Sequence, residues 1–183
     1  MPEMPEVETI RRDLAQSILN QSVTSVNILN PKTAKNPAAF FSSGLINKKF
    51  VSLGRRGKLL YFEISGVPKN FLLIHLKMTG QLIYLSKRVK VMGGHSLSSG
   101  SLAKSVGGEL PNKHTRIYFE FKNGGRLYFN DLRKFGYLKI VDHQALEKIL
   151  INNYGLEPLT PEFTFSSLTK FLKIEKLSLR LCF

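Results

Sequence analysis

Cysteine is almost absent: Cys182, next to the C-terminus, is the single one in 183 residues. It can build neither a disulfide framework nor a cysteine zinc cluster, and it says little about compartment. Long apolar runs are also missing. The N-terminus carries acids where a signal peptide has a basic stretch leading into an apolar one, so no signal peptide and no membrane span are expected, and the chain reads as cytoplasmic. Acidic residues are scarce, 13 against 27 Lys and Arg, which leaves a formal charge of +14 and a pI near 10.0. Such an excess raises the local concentration of polyanions and points to DNA or RNA, with ribosome association or a merely soluble basic protein as the duller reading. Hydrophobic residues at 43% and charged residues at 22% place the chain among folded globular proteins rather than disordered ones. The length suits one domain of good size, or one domain and the start of a second.

Periodicity predicts a helix from Pro5 to Leu19. Val7, Ile10, Leu14 and Ile18 recur at helical spacing on one face, Pro5 suits the first turn, and Glu6 and Glu8 suit the positive end of the helix dipole. Strands are predicted at Val23–Leu29, Phe50–Leu53, Leu59–Ile64, Phe71–Leu76, Arg116–Phe121, Arg126–Phe129 and Tyr137–Val141. Asn123-Gly124-Gly125 is a hairpin turn signal between two of them. Strands do not alternate with helices. The expected fold is mainly β with α: a two-layer β-sandwich or flattened barrel with the N-terminal helix packed on it. Residues 92–112, rich in Gly and Ser, read as a long loop. Gln144–Asn152 reads as a short amphipathic helix, Leu156–Leu159 as a linker, and Phe165–Lys173 as a further helix. There are no internal repeats.

Several residues carry chemistry. Removal of Met1, expected before a small second residue, would leave Pro2 with a free secondary amine. Free α-amino groups titrate near pH ~8, so a useful fraction is neutral at pH 7. A neutral secondary amine attacks an aldehyde-level carbon to form an iminium ion, and Glu3 stands beside it to protonate a leaving group. Against this, proline near a helix start is ordinary punctuation. In "GRRGKLLYF", Lys58 opens a strand after Gly57 and reads either as a surface charge or as a phosphate contact and proton carrier. In "NKHTRIYFEF", Lys113 and His114 sit at a loop-to-strand junction that suits phosphate. In "FNDLRKFGYL", Arg133, Lys134 and Phe135 fit a phosphate grip with an aromatic wedge between bases, or else Phe135 belongs to the core of the next strand.

Together these stretches resemble the formamidopyrimidine-DNA glycosylases, which excise oxidised purines. "MPEMPEVETIRR" is similar to that family's N-terminus, with Met4 where leucine is usual. "GRRGK", "LLIHLKMTGQL", "NKH" and "NDLRKFG" follow in the family's order, across roughly residues 1–173. The resemblance implies Pro2 as the nucleophile that attacks C1′ and forms a Schiff base, Glu3 as general acid for base release, and Glu6 as a support from the first helical turn. It implies Lys58 as proton donor in β-elimination and phosphate contact. Met78 would fill the hole left by the flipped nucleotide, Arg133 would face the orphan base, Phe135 would wedge between bases, and His114 would hold phosphate; Lys113 and Lys134, read from their own stretches, are expected to add DNA contacts. Base flipping is required physically, because no amine reaches C1′ inside a stacked duplex. The implied partner is double-stranded DNA with an oxidised purine or an abasic site, bound by a monomer.

The expected division is a catalytic sandwich domain over 1–155, then a linker and the start of a helix–two-turn–helix domain over 156–183. The family's remaining helical domain, its "GNIYA" segment and its four-cysteine zinc finger do not occur in this sequence. No cofactor is expected in this chain, since the family's zinc belongs to that finger. "KIEKLSLRLCF" departs from the family's cationic pattern after Phe171, with Glu175 near an expected cation, and reads as a shifted frame followed by a stop. Two rival expectations stand beside excision of oxidised purines: a basic DNA-binding remnant without turnover, and a related glycosylase for oxidised pyrimidines.

Overall fold

A computed structural model describes residues 2–87, 89–92, 95–96, 108–158 and 160–174. Helix α1 spans Met4–Ile18, and Val7, Ile10, Leu14 and Ile18 are all buried, the face predicted from spacing. Glu3 caps it in an extended conformation. It ends where Leu19 turns extended and Asn20 takes a positive φ of 63°.

Ten strands are seen among the described residues: β1 Val23–Ile28, β2 Phe50–Arg56, β3 Leu59–Ile64, β4 Asn70–His75, β5 Gly80–Leu85, β6 Lys90–Met92, β7 His95–Ser96, β8 Thr115–Phe121, β9 Arg126–Asp131 and β10 Tyr137–Asp142. They form two antiparallel sheets, ordered β1-β8-β9-β5-β6-β7 and β10-β4-β3-β2. The arrangement is a sandwich of two sheets rather than a closed barrel. A ring cluster bridges the layers: Phe50 of β2 lies 5.0 Å from Phe62, 6.5 Å from Phe119 and 6.1 Å from Phe121, centroid to centroid. Two of these rings come from each sheet, and the buried face of α1 joins the same core. The outer face of the four-stranded sheet is covered by helix α3, His143–Asn153, whose Leu146 packs with Leu59, Phe71 and Leu73. That is why β4 reads as an unbroken apolar run: Leu72 and Ile74 face the sandwich, Phe71 and Leu73 face α3.

Three features depart from the sequence expectation. Strand β5 lacks the alternation that marks a half-buried strand, since Leu82, Ile83 and Tyr84 are buried in succession. Strands β6 and β7 fall at the start of the stretch expected to be a loop; they are short and held by backbone pairing to β5 and to each other, which leaves no side-chain period to read. Residues 93–94 and 97–107 of that loop lie outside the described residues, as do Cys182 and the 175–183 tail. Helix α2, Ala38–Ser43, and the 3-10 turn Pro31–Thr33 were too short to show a periodic pattern. Helix α4 spans Phe165–Ile174, close to the predicted bounds. No helix among the described residues is long and apolar enough to cross a membrane.

The ring cluster sets the first prediction. Phe62→Ala empties a fully buried site between the sheets and is expected to lower unfolding free energy by about 3–5 kcal/mol, measured by urea denaturation.

Candidate nucleic-acid interface and reaction centre

The path of α1 against β2 decides where the N-terminus lies. The Asn20 N–H donates to the Phe50 carbonyl at 2.8 Å, Arg11 Nη1 reaches the Leu53 carbonyl at 3.5 Å, and Arg55 Nε donates to Glu8 at 2.8 Å. Falling numbers in the helix thus meet rising numbers in the strand. Pro2 and Glu3 therefore stand toward the end of β2 at which the chain turns through Gly57 and Lys58. Pro2 is partly exposed and Glu3 exposed. The Glu3 N–H donates to the Glu6 carboxylate at 3.1 Å, so Glu6 closes back on the residue beside Pro2.

A buried ion network fixes this corner. Arg55, with a side chain only 4% exposed, donates to Glu8 of α1 and, at 2.9 Å, to Glu157 of the segment after α3. Glu157 also accepts the Gly57 N–H at 2.9 Å, and Arg56 donates to the Gly155 carbonyl at 2.6 Å. Gly57 has φ +54°, a left-handed conformation that suits glycine, and the turn it makes presents Lys58. Hydrogen bonds from Arg11 first, then from Arg55 and Arg12, hold the Glu8 carboxyl down at about 2 from its ordinary 4.5, against the opposing pull of burial. Burial pushes Glu157 up, but the bonds from Arg55 and Gly57 outweigh it and its carboxyl sits below the usual value. The stretch read as a linker is thus anchored to the sandwich at Glu157.

The same end of the four-stranded sheet gathers further cations. Leu59, directly after Lys58, pairs with His75, which pairs in turn with Tyr137. His75 accepts the Lys77 N–H on Nδ1 at 3.0 Å. Burial, then the charges of Lys77 and Lys58, lowers its pKa to about 4, so at neutral pH the imidazole is uncharged with its proton on Nε2. Lys77 Nζ stands 5.9 Å from the Tyr137 ring centre. Lys58 makes no hydrogen bond or ion pair among the described residues.

Two loops meet beside this sheet end. Met78, in the turn between β4 and β5, is 41% exposed, and Phe135, between β9 and β10, is 53% exposed, so Phe135 is not a core residue of the following strand. Arg133 joins them. Its Nη1 lies 3.1 Å from the Met78 sulfur, and its guanidinium carbon is 4.9 Å from the Phe135 ring centre. Each loop holds a lysine at positive φ, Lys77 at 54° and Lys134 at 61°, a conformation that costs roughly 1–3 kcal/mol and clusters at functional sites. Lys113 and His114 come from the neighbouring turn before β8. The His114 carbonyl accepts the Asp131 N–H at 2.9 Å, which holds that turn against the base of the Arg133 loop. Among the described residues no three His, Cys, Asp or Glu side chains gather in a way that could hold a metal ion.

Residues 1–138 match the Formamidopyrimidine-DNA glycosylase N-terminal domain. The chain belongs to the formamidopyrimidine-DNA glycosylase family. It is 35% identical over 175 residues to the formamidopyrimidine-DNA glycosylase of Pelotomaculum thermopropionicum, covering 94% of this chain and 55% of that one. It is 30% identical over 177 residues to that of Streptococcus agalactiae, covering 96% and 56%. Among solved structures, the Lactococcus lactis Fpg in complex with abasic-site DNA superposes with a TM-score of 0.72 at 28% identity, over 93% of this chain and 55% of that one. The chain spans about half the length of the curated relatives it matches.

Reasoning from the family's motifs did not single out His75, Thr79, Asp131, Arg55 or Glu157. Four of them, Arg55, His75, Thr79 and Asp131, lie inside the quoted motifs. The available signal was chemical: a histidine or a short polar residue within an apolar strand end, and an aspartate five residues before a glycine, the spacing of a carboxylate that caps its own loop.

The ion network gives two predictions. Glu157→Ala leaves the buried Arg55 short of a partner and is expected to destabilise the fold by about 3–5 kcal/mol in denaturant titration. Because the Glu8 pKa is lowered on folding, its contribution is fully present above about pH 4.5 and is lost as pH falls toward 2. Glu8→Gln should therefore cost stability at pH 7 and flatten the acid limb of a stability–pH curve relative to the parent chain.

Proposed function

We propose that residues 1–155 form the catalytic domain of a DNA glycosylase with AP-lyase activity, acting on oxidised purines in duplex DNA, and that 156–183 begin the domain that follows. The observation that carries the reading is the meeting of Met78, Arg133 and Phe135 at the sheet end toward which the start of α1 and Lys58 also point. Solved relatives from Lactococcus lactis are complexes with Fapy-dG DNA and with abasic-site DNA, which supports the same substrate class here.

The proposed chemistry follows from these positions. With Met1 removed, the neutral Pro2 amine attacks C1′ of an extruded nucleotide. The C1′–N bond to the base breaks, its electron pair leaves with the base, and Glu3 supplies the proton. Opening of the sugar then yields an iminium ion on Pro2. The iminium acidifies C2′–H, loss of that proton expels the 3′ phosphate, and Lys58 serves as the nearby proton carrier. Glu6 steadies the Glu3 backbone. Uncharged His75 offers an N–H donor, flanked by Lys58 and Lys77, where the displaced backbone would run. Lys113, His114 and Lys134 add cationic or donor groups along the same edge, and the wedge fills the gap that extrusion leaves.

The test uses the 183-residue chain with its N-terminus defined by mass. Borohydride should trap a covalent adduct with abasic-site DNA, and Pro2→Gly or an N-terminal block should reduce or abolish it. Glu3→Gln should slow base excision ~10²–10⁴-fold while sparing cleavage of a pre-formed abasic site. Undiminished trapping by the blocked chain would overturn the assignment of Pro2.

A further inference from the structure

The three wedge residues sit on two loops, and nothing about exposed side chains alone would hold them in one geometry. A single buried residue does so. Asp131, the last residue of β9, is 1% exposed. Its Oδ1 accepts the Thr79 hydroxyl from the Met78 loop and the Arg133 N–H at 3.2 Å, and its Oδ2 accepts the Gly136 N–H at 2.7 Å. Thr79 Oγ1 in turn accepts the Arg133 N–H at 3.0 Å, so hydroxyl and carboxylate share that donor. Gly136 approaches so closely that a Cβ there would stand 2.6 Å from the Phe129 ring and 3.1 Å from the carboxylate itself. The backbone of Asp131 is committed as well: its carbonyl accepts Arg116 Nε at 2.8 Å, while its N–H bonds the carbonyl of His114. Three segments, carrying Met78, His114 and Arg133–Phe135, therefore converge on one aspartate.

We propose that Asp131, latched to the Thr79 hydroxyl, is a positioning residue that joins the two loops so that Met78, Arg133 and Phe135 enter DNA as one preassembled wedge. The inference rests on the DNA-repair reading for its consequence and on the hydrogen bonds for the latch. Both carboxylate oxygens act as acceptors, a demand that an acceptor-only group meets and an amide does not, because one end of an amide is a donor. Preassembly matters because each long side chain ordered only on binding would add an entropic penalty to unstacking. Arg133 and Met78 are flexible side chains on separate loops, and the latch sets the distance between their backbones.

The test replaces Thr79, whose hydroxyl is the removable half of the latch; Asp131 itself is too deeply bonded for a safe first variant. Thr79→Val keeps the shape and removes the hydroxyl, and Thr79→Ser restores it. A duplex with 2-aminopurine beside an abasic site reports unstacking by fluorescence, and the intact duplex gives the reference affinity. Thr79→Val should lose roughly tenfold in preference for the abasic duplex, the size expected for one hydrogen bond to a charged group, and Thr79→Ser should recover it. In the free protein, amide exchange at Arg133 should rise about fivefold in Thr79→Val and return in Thr79→Ser. Equal behaviour of Thr79→Val and the parent chain in both measurements would overturn the latch, and so would a loss that Thr79→Ser fails to repair. If the parent chain gives no unstacking signal, the DNA-repair reading falls, and amide exchange alone decides whether the loops are latched.

Discussion

A guanidinium has been taken out of water at Arg55, and the molecule is organised around the need to neutralise it. Burying a charge without partners is prohibitive, and one carboxylate with a single bond leaves donors unmet. Arg55 satisfies its fork with Glu8, Glu157 and the Gly57 carbonyl. Those groups come from the first helix, from the segment after α3 and from the β2–β3 turn. A local requirement for neutrality thus brings together segments about 100 residues apart in sequence. It also sets where the chain begins and how the turn bearing Lys58 is held, the two placements on which the proposed iminium chemistry depends.

The end that carries Met78, Arg133 and Phe135 shows the same logic with the signs reversed. There a buried carboxylate, Asp131, is surrounded by donors, and exposed cations and apolar tips project from the loops it fastens. Net charge does not distinguish this end. Lys48, Lys49, Lys69 and Lys122 lie near the opposite end, around the strand termini Phe50, Ile64 and Phe121. What distinguishes the end with Met78 and Phe135 is the combination of cations with an exposed aromatic, an exposed thioether, an uncharged histidine and two loops of constrained backbone. Positive charge draws a polyanion from any direction, and these features give one face something to do with it.

The sequence made some of this plain and hid the rest, for identifiable reasons. The buried stripe Val7, Ile10, Leu14, Ile18 announced α1 because a surface helix shows its period when one face alone is covered. Strands β1, β2, β3, β4, β8, β9 and β10 were readable from their apolar and β-branched content. Strand β5 was not, because successive residues are buried and no alternation survives, and β6 and β7 owe their existence to backbone pairing. Pro2, Glu3, Lys58, Met78, Arg133 and Phe135, the residues on which the proposed function rests, were picked out through motifs shared with a family. Their supports were not. Arg55, Glu157, Thr79 and Asp131 act through contacts that span 47 to 102 residues in the bonds Arg55–Glu8, Thr79–Asp131 and Arg55–Glu157, distances over which no local pattern reports. Whether Phe135 was core or exposed was also undecidable from spacing, since a residue two positions before a strand fits either role.

The central claim is that one end of the sandwich is the DNA face, selected by shape and chemistry rather than by charge. Backbone amide shifts recorded during titration of the 183-residue chain with an abasic-site duplex test it most directly, without requiring turnover. Perturbations are predicted at residues 2–8, 57–58, 75–79, 113–116 and 131–136, with little change at Lys48, Lys49, Lys69 and Lys122–Gly125. Perturbations spread evenly over the basic residues of both ends, or concentrated around Lys48, Lys69 and Lys122, would contradict it.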